Sequence, residues 1–391
     1  MFNLLLAIIY VSFISLGLPD AILGSAWPSM YPQLGVPISY AGIIAMIISG
    51  GTIFSSFMSG RMLKKFGTGK VTAISVAMTA FALLGFSLSH NYWLLCVMAL
   101  PYGLGAGSVD AALNNFVALH YKAKHMSWLH SFWGVGATLG PYIMGTALTK
   151  GMGWNHGYRI IFYLQIVLTA VLIFSLPLWK EEKNNSEDNH EHKSMNIKQL
   201  MALPGAKEIL TAFFCYCSLE FVTGLWGSSY MVVKKGLSPE TAATLTSVFY
   251  LGITIGRFLS GFMAIKFDSK FMVRLGQTIA FIGTLTLIFS FNTVVMAIGF
   301  ILIGLGCAPV YPSLLHQTPQ RFGKEISQSV MGIQMASAYI GSTFSPMIAG
   351  LLFDNINISF YPFVLTFFVV FMFIMVEISD SKSGNFKKVL Q

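Results

Sequence analysis

Long apolar runs alternate with short polar connections along almost the whole chain. Windows of about 19 residues delimit twelve such runs, each long enough to cross a bilayer as a helix. Their predicted bounds are 2–31, 38–60, 71–90, 92–118, 127–149, 158–179, 208–231, 242–264, 271–291, 293–315, 329–352 and 358–378. The runs are too long and too continuously apolar for the strands of a membrane barrel. The pattern predicts an all-α membrane protein with twelve transmembrane helices.

Composition agrees with a membrane location. Of the 391 residues, 55% are hydrophobic and 10% are charged, whereas about 25% are charged in a typical soluble protein. The net charge of +9 does not indicate nucleic-acid binding, because the basic residues lie in the connections between apolar runs. We find no hydrolase triad, phosphate-binding loop or metal-ligand pattern. The sequence therefore predicts neither an enzyme nor a bound metal or cofactor.

Lysine and arginine are distributed unequally between the two sides of the predicted bundle. If the N-terminus lies inside, the inner connections and tail hold 19 of the 24 basic residues, the outer loops hold four, and Arg257 lies within a span. The positive-inside rule then predicts that both termini are cytoplasmic. We expect a multi-pass protein of the plasma membrane, or of the inner membrane in a bacterium.

One long polar connection divides the twelve spans into six and six. The division predicts an N-terminal six-helix domain over 1–179, a cytoplasmic linker over 180–207, a C-terminal six-helix domain over 208–378 and a cytoplasmic tail over 379–391. Because six is an even number, the second set of six helices has the same orientation in the membrane as the first.

The two halves repeat each other at a nearly constant offset. Gly60 matches Gly261, Lys65 matches Lys266, and Gly103-Leu104-Gly105 matches Gly304-Leu305-Gly306, each pair 201 positions apart. Parallel six-helix repeats are the plan of major facilitator transporters, in which a cavity between the two domains opens alternately to either side. We expect that architecture, with a small-molecule substrate, in a protein that functions as a monomer.

Individual motifs resemble this superfamily more closely. The segment from Gly60 to Lys70 is similar to the signature loop between its helices 2 and 3, except that Lys64 stands where the signature usually has aspartate. The second half has an acid near the corresponding place, Asp268, which aligns with Gly67. Three further stretches, 102–110, 129–136 and 252–261, resemble the fucose/glucose–proton symporter group. The resemblance implies import of a monosaccharide together with protons, which acids in helices 4 and 1, matched here by Asp110 and Asp20, would bind.

Three acids lie well inside predicted spans, away from the span ends: Asp20, Asp110 and Glu220. A charge at the bilayer centre costs at least about 2.5–3.5 kcal/mol, so such residues usually face a cavity and serve function. The alternative is an acid that ties helices together by hydrogen bonds. Pro19 weakens the helix before Asp20, and the freed backbone groups are tolerated only beside a cavity or another helix. We expect Asp110 and Asp20 to take part in proton coupling and Glu220 to bind substrate.

A sugar site needs flat aromatic surfaces together with hydrogen-bonding partners. The aromatic candidates are Trp27, Trp133 and Trp226, and the polar ones are Asn114, Asn115, His130, Gln165, Tyr311 and Gln334. For any single aromatic, packing or interfacial anchoring is a more common role than that of a ligand platform. Arg257 requires an acid or a set of carbonyls as its partner. We assign gating or helix pairing to Arg257, Gly60, Lys65, Gly261 and Asp268.

Two other functions fit the same pattern. Proton-coupled efflux of drugs or metabolites shares the fold and the acids but requires a looser apolar cavity, which the 33 phenylalanines and 21 methionines could line. A sensor built on a transporter scaffold would bind its ligand without moving it.

Overall fold

The computed structural model describes residues 2–121, 123–179, 197–323 and 326–390. In these ranges the chain forms fifteen α-helices and no strand. The first half contains α1 (Phe2–Asp20), α2 (Ile22–Leu34), α3 (Tyr40–Phe66), α4 (Thr68–Ser87), α5 (Tyr92–His120), α6 (Ala123–Thr149) and α7 (Trp154–Ser175). The second half contains α8 (Ile197–Ala202), α9 (Ala206–Val233), α10 (Pro239–Met263), α11 (Ser269–Ile288), α12 (Thr293–His316), α13 (Thr318–Phe322), α14 (Ser327–Leu352) and α15 (Tyr361–Leu390).

Ten helical stretches of the described chain are long and apolar enough to cross a membrane. The first, Leu4–Leu34, joins α1 and α2, and the last, Ser329–Ser383, contains both α14 and α15. The 27-residue α6 is not among the ten, and it packs inside the bundle along α1 and α10. With α14 and α15 counted separately and α6 added, twelve long helical units correspond to the twelve predicted spans.

Two helix ends differ most from the sequence prediction. α3 continues to Phe66, past the predicted end at 60, and α15 continues through the predicted tail to Leu390. Polar contacts stabilise the extra turns of α15, because Ser379 donates a hydrogen bond to the Gly205 carbonyl and Lys382 pairs with Glu208. Residues 180–196, most of the predicted linker, lie outside the described residues.

The first span is interrupted, as Pro19 predicts. α1 ends at Asp20, and α2 begins after a single residue, Ala21. Proline has no N–H, so it leaves the carbonyl four residues earlier without its helical partner. That carbonyl belongs to Ser15, and the Gln165 side chain of α7 donates to it at 2.7 Å. The interruption is therefore stabilised by a specific hydrogen bond inside the first half.

The internal repeat extends to backbone details at the same offset of 201. Gly35 and Gly236 end their helices with φ of +63° and +69°, a conformation that favours glycine. Asn91 and Asn292 each accept the N–H three residues later and so begin α5 and α12. A methyl group on Gly103 would collide with the Ile48 carbonyl oxygen, as one on Gly304 would with that of Phe249. Equivalent helices thus pack backbone to backbone in both halves.

The two halves touch mainly through four pairs of helices: α6 with α10, α3 with α14, α2 with α9 and α2 with α10. We call the side where α1 begins and α15 ends the termini side, and the opposite one the far side. On the far side the contacts are close: a methyl group on Gly42 would lie 2.7 Å from Cα of Met347, and Ser39 donates a 2.8 Å hydrogen bond to Asp354. Gly24 of α2 lies against the Gly224 backbone of α9.

Toward the termini side the same helix faces separate. Gly60 lies about five turns after Gly42 on one face of α3, yet a methyl group there would have no atom within 4 Å. On α10, Thr254 contacts Gly134 of α6, whereas Gly261, about two turns further along the same face, also meets open space. The two halves therefore enclose a cleft that is closed on the far side and open on the termini side.

Candidate functional site

Asp20 lies at the joint between α1 and α2, and both of its carboxylate oxygens are bound. Tyr102 of α5 donates to Oδ1 at 2.8 Å, and the indole N–H of Trp133 on α6 donates to Oδ2 at 2.9 Å. Asp20 is nevertheless an exposed residue. Because its partner Trp133 in turn contacts Arg257 of the other half, Asp20 borders the cleft between the halves.

A continuous chain of polar contacts leads from Asp20 into the other half. The guanidinium of Arg257, on α10, lies 4.9 Å from the centroid of the Trp133 ring, within the range of a cation–π interaction. Its Nη2 is 3.8 Å from Oε1 of Glu220 on α9. The expected acidic partner of Arg257 is therefore Glu220. The chain Asp20–Trp133–Arg257–Glu220 crosses the interface between the halves.

The Arg257 pair is looser than the other arginine pairs of the second half. Arg274 makes two 2.6 Å hydrogen bonds to Glu377, and Arg321 approaches Asp380 to 2.7 Å. Within the described part of the chain, Arg257 has only the 3.8 Å ion pair and the Trp133 ring. Its guanidinium keeps N–H groups that a ligand in the cleft could engage.

Asp110 lies on the termini side of Tyr102 on α5, about two turns away. Its Oδ1 and its backbone carbonyl each accept a 2.9 Å hydrogen bond from Asn114. It lies within electrostatic range of Asp20 and of Tyr311 and Tyr339 in the other half. The structure thus places both predicted proton-coupling acids on the same cleft, with Asn114 bound to one of them.

Aromatic side chains form the wall around Glu220. Tyr311 is half-buried, with ring centroids 5.3 Å from Phe213 and 5.5 Å from Tyr216. Tyr216 lies one turn before Glu220 on α9. Flat rings edged by hydroxyl groups and a carboxylate suit a solute with both apolar and hydrogen-bonding faces.

Two of the three predicted tryptophan platforms lie elsewhere. Trp27 is fully buried and donates its N–H to the Ile38 carbonyl at 2.7 Å. Trp226 is also fully buried and donates to the Pro346 carbonyl at 2.8 Å. Neither ring has a face free for a ligand, because each packs inside its own half. Only Trp133 is at the cleft.

Two predicted glutamine ligands are likewise internal. Gln165 accepts from the Ser15 hydroxyl and donates to the Ser15 carbonyl, which accounts for it as the partner of the Pro19 interruption. Gln334 is fully buried and accepts from Thr318 at 2.9 Å. These polar groups satisfy backbone and side chains of the helix bundle and do not reach the cleft.

The remaining polar candidates divide between two surfaces. His130, about one turn before Trp133, is exposed, lies edge-on to Phe13 and is within electrostatic range of Arg257. Asn115 is exposed as well, but it shares a face of α5 with Leu119, which is 70% exposed. His130 therefore lies beside the network, whereas Asn115 points away from Asp110.

The gating candidates make local contacts in this conformation. Gly60 and Gly261 face open space. The Lys65 ammonium lies 5.2 Å from the ring of the adjacent Phe66. Asp268 accepts the Phe271 N–H at 2.8 Å and thereby caps α11. Arg257 alone among the five bridges the two halves.

Three tyrosines of the site were not singled out from the sequence. Tyr102 binds Asp20, Tyr158 is a buried phenol with no hydrogen-bond partner among the described residues, and Tyr250 lies within electrostatic range of both Asp20 and Glu220. Pro19, Tyr102 and Tyr158 line a small cavity inside the first half with room for about one water. A phenol within an apolar span needs a hydrogen-bond partner. This requirement was the signal by which the three tyrosines could have been singled out from the sequence.

The described residues contain no group of three or more His, Cys, Asp or Glu side chains placed to hold a metal. The site combines titratable acids, an arginine and aromatic rings in a cleft that one side of the bundle closes. Twelve long helices in two repeated halves around such a cleft define a secondary transporter of the membrane.

Sequence comparison gives the family. The model of the Major Facilitator Superfamily matches residues 9–238 and 208–388, and the chain belongs to that superfamily. It is 24% identical to the glucose/mannose transporter GlcP of Bacillus subtilis, over 87% of this chain and 86% of that protein. It is also 24% identical to multidrug resistance protein 2 of the same organism, over 94% and 92%. The protein is thus a multi-pass membrane transporter.

Structure comparison supports the same fold. The nucleoside transporter NupG, in the crystal structure of a point mutant, superposes with a TM-score of 0.76 at 12% identity, over 96% of this chain and 98% of that one. The predicted all-α fold with two six-helix domains is confirmed.

Proposed function

We propose that this protein imports a monosaccharide together with protons by alternating access. The observation behind the proposal is the carboxylate of Asp20, which borders the cleft and connects through Trp133 and Arg257 to Glu220 in the other domain. Asp20 and Asp110 bind the proton. Trp133, Tyr311 and Glu220 contact the sugar, which binds between the domains. The resemblance to the fucose/glucose–proton symporter group and the similarity to a glucose/mannose transporter support this substrate class.

The direction of opening fits an import cycle. The positive-inside rule assigns the termini side to the cytoplasm of a plasma or bacterial inner membrane, so the cleft corresponds to an inward-facing state. In that state sugar and proton leave into the cell. The empty transporter then closes on the termini side and opens on the far side, and a single copy of the chain completes the cycle.

Efflux of drugs in exchange for protons is the second candidate, supported by the similarity to multidrug resistance protein 2. The two functions differ in the chemistry required of the cavity wall. An arginine that makes no hydrogen bond to the described protein, beside a carboxylate and two tyrosines, suits a solute rich in hydroxyl groups better than an apolar drug.

Purified protein in liposomes that contain a pH-sensitive dye tests the proposal. A panel of hexoses, deoxyhexoses and disaccharides is added first, followed by a panel of cationic drugs. Import predicts that one sugar drives acidification of the liposome interior. Proton movement with drugs alone would support the antiporter, and binding without flux would support a sensor. Failure of both panels, with sodium also tested as the coupling ion, would overturn the sugar proposal.

Asp20→Asn and Asp110→Asn identify the acids that carry the proton. We expect each variant to lose sugar-driven proton entry by about tenfold or more, an effect of roughly 1.4 kcal/mol or greater, because an amide cannot bind and release the proton. Exchange of labelled sugar across the membrane should persist. Asp188→Asn, the same substitution in the polar connection between the domains, is the matched control and should behave as wild type.

A further inference from the structure

Trp133 is fixed to the N-terminal domain. A methyl group on Gly17 of α1 would collide with the carbonyl oxygen of Trp133, and one on Gly136 would collide with that of Ile14. α1 and α6 therefore touch backbone to backbone at Trp133 and about one turn after it, and the first of these contacts lies within one turn of Asp20. Close packing of this kind leaves little freedom for sliding. The indole N–H and the Asp20 carboxylate consequently move as one unit when the domains rock.

Arg257 belongs to the other domain. It contacts the Trp133 ring at the level of the last close contact between the domains before the cleft opens toward the termini side. Gly134, the next residue on α6, contacts Thr254, and the hydroxyls of Thr138 and Thr254 are 3.4 Å apart. Gly261 of α10, on the termini side of Arg257, faces open space. Rotation of the domains about this level must change the separation of Arg257 from the Trp133 ring, while the bond from Trp133 to Asp20 is kept.

The indole can transmit charge between these two partners. A cation is attracted to the negative face of an aromatic ring, and a carboxylate that accepts the ring N–H makes that face more negative. Hydrogen bonds to an ionised acceptor are roughly twice as strong as neutral ones. Protonation of Asp20 weakens this hydrogen bond and thereby the hold of the ring on Arg257.

We propose that Trp133 is the positioning residue that couples the proton on Asp20 to the movement of the C-terminal domain through Arg257. With Asp20 ionised, the ring holds Arg257 and favours the conformation described here. With Asp20 protonated, Arg257 is released toward Glu220 or the substrate, and the balance between the inward-facing and outward-facing conformations shifts. This inference rests on the proposed proton coupling and assigns to Trp133 a role beyond that of a sugar platform.

Other titratable groups face Asp20 but do not make the same connection. Tyr102 and Asp110, on α5, belong to the same domain as Asp20 and move with it. Tyr250, on α10, lies within electrostatic range of Asp20 and Glu220, yet its ring is buried against Phe249. His130 is near Arg257 without a bond to Asp20. Trp133 alone among these residues contacts both Asp20 and the arginine of the opposite domain.

Trp133→Phe tests the inference because it keeps an aromatic face and removes the N–H. The control is Trp93→Phe, since Trp93 is 73% exposed on the outer surface of α5. Two assays in liposomes are compared: accumulation of sugar driven by a pH gradient, and exchange of labelled sugar without a gradient. We expect Trp133→Phe to lower the driven accumulation about tenfold, corresponding to about 1.4 kcal/mol, and to lower exchange much less, because the phenyl ring still offers the sugar an aromatic face. Trp93→Phe should change neither.

Arg257→Lys, in the other domain, is a second test. It tests the proposed coupling by itself if Trp133→Phe does not fold. Lysine keeps the charge and loses the planar guanidinium that covers the ring, so the same selective loss is expected. Equal loss of both assays would mean that Trp133 only binds sugar, and full retention of both would mean that it couples nothing. If the wild type itself shows sugar exchange without proton-driven accumulation, the proposed proton coupling fails instead.

Discussion

The two domains are fastened differently at equivalent places on the termini side. Trp179 and Asp380 are 201 positions apart and occupy corresponding sites. The Trp179 ring lies against Gly69 at the start of α4 and 5.2 Å from the ring of Phe116 on α5. Asp380 pairs with Lys270 at the start of α11 and with Arg321 just after α12. We call the surroundings of Trp179 and of Asp380 the corner of each domain. Aromatic packing holds the corner of the N-terminal domain together, and ion pairs hold that of the C-terminal domain together.

The surrounding residues follow the same division. In the first domain, Phe116 stacks on His120 with centroids 4.2 Å apart, and Tyr10 hydrogen-bonds His125 at 3.0 Å. In the second, His120 is replaced at the offset of 201 by Arg321, which is 6% exposed and also binds Gln317. A common backbone arrangement therefore does not require common chemistry, and the two corners should respond differently to salt and to substitution.

The largest effect is expected from Arg321→Met. It leaves Asp380 with only the partly exposed Lys270, and breaking a buried pair typically costs about 3–5 kcal/mol. Chemical unfolding in detergent micelles would measure the loss. Adding Asp380→Leu should recover most of the stability, because the uncompensated charge is then removed. A double variant as unstable as the single one would contradict the ionic account of this corner.

Trp179→Ala should cost somewhat less, about 3 kcal/mol, the low end for a buried tryptophan. The hydroxyl of Ser175, which accepts the indole N–H, also donates to the Leu172 carbonyl and so stays satisfied. The loss should be the same at low and high salt, measured by the same unfolding assay. Trp179→Phe should retain part of the packing, and a salt-dependent loss would show that charge matters in this corner too.

The smallest effect is expected from Arg274→Ala. Its ion pair with Glu377 is well formed at 2.6 Å, but the arginine side chain is 46% exposed. Exposed pairs contribute about 0.2–1 kcal/mol and are screened by salt. Unfolding at low salt should reveal the loss, and high salt should remove most of it. A loss as large as that of Arg321→Met would mean that exposure does not separate the two pairs.

Sequence reasoning located features that depend on the local chain. The interruption at Asp20 follows from the missing N–H of Pro19. The nearly constant offset of 201 positions between matching residues of the two halves predicted the duplicated architecture. An acidic partner for Arg257 followed from the cost of an unpaired charge in the membrane, although the sequence did not say which acid.

Features that depend on how helices rotate against each other could not be predicted. Trp27, Trp133 and Trp226 are alike in sequence, each within an apolar run, but only Trp133 faces the cleft. The N–H of Trp133 reaches Asp20 because Gly17 and Gly136 allow α1 and α6 to approach closely. Gln165 was assigned to substrate because its true partner, the Ser15 carbonyl, becomes available only through Pro19.

The single-residue joint at Ala21 makes the first span mechanically unlike its counterpart. α1 packs within its own domain against α6 and α7, whereas α2 packs mainly against α9 of the other domain. The matching span, α9, is one unbroken rod of 28 residues. A rod transmits displacement along its whole length, while a jointed span lets its two ends follow different bodies. Of these two matching spans, the first is therefore the one that can bend, at the residue that follows Asp20.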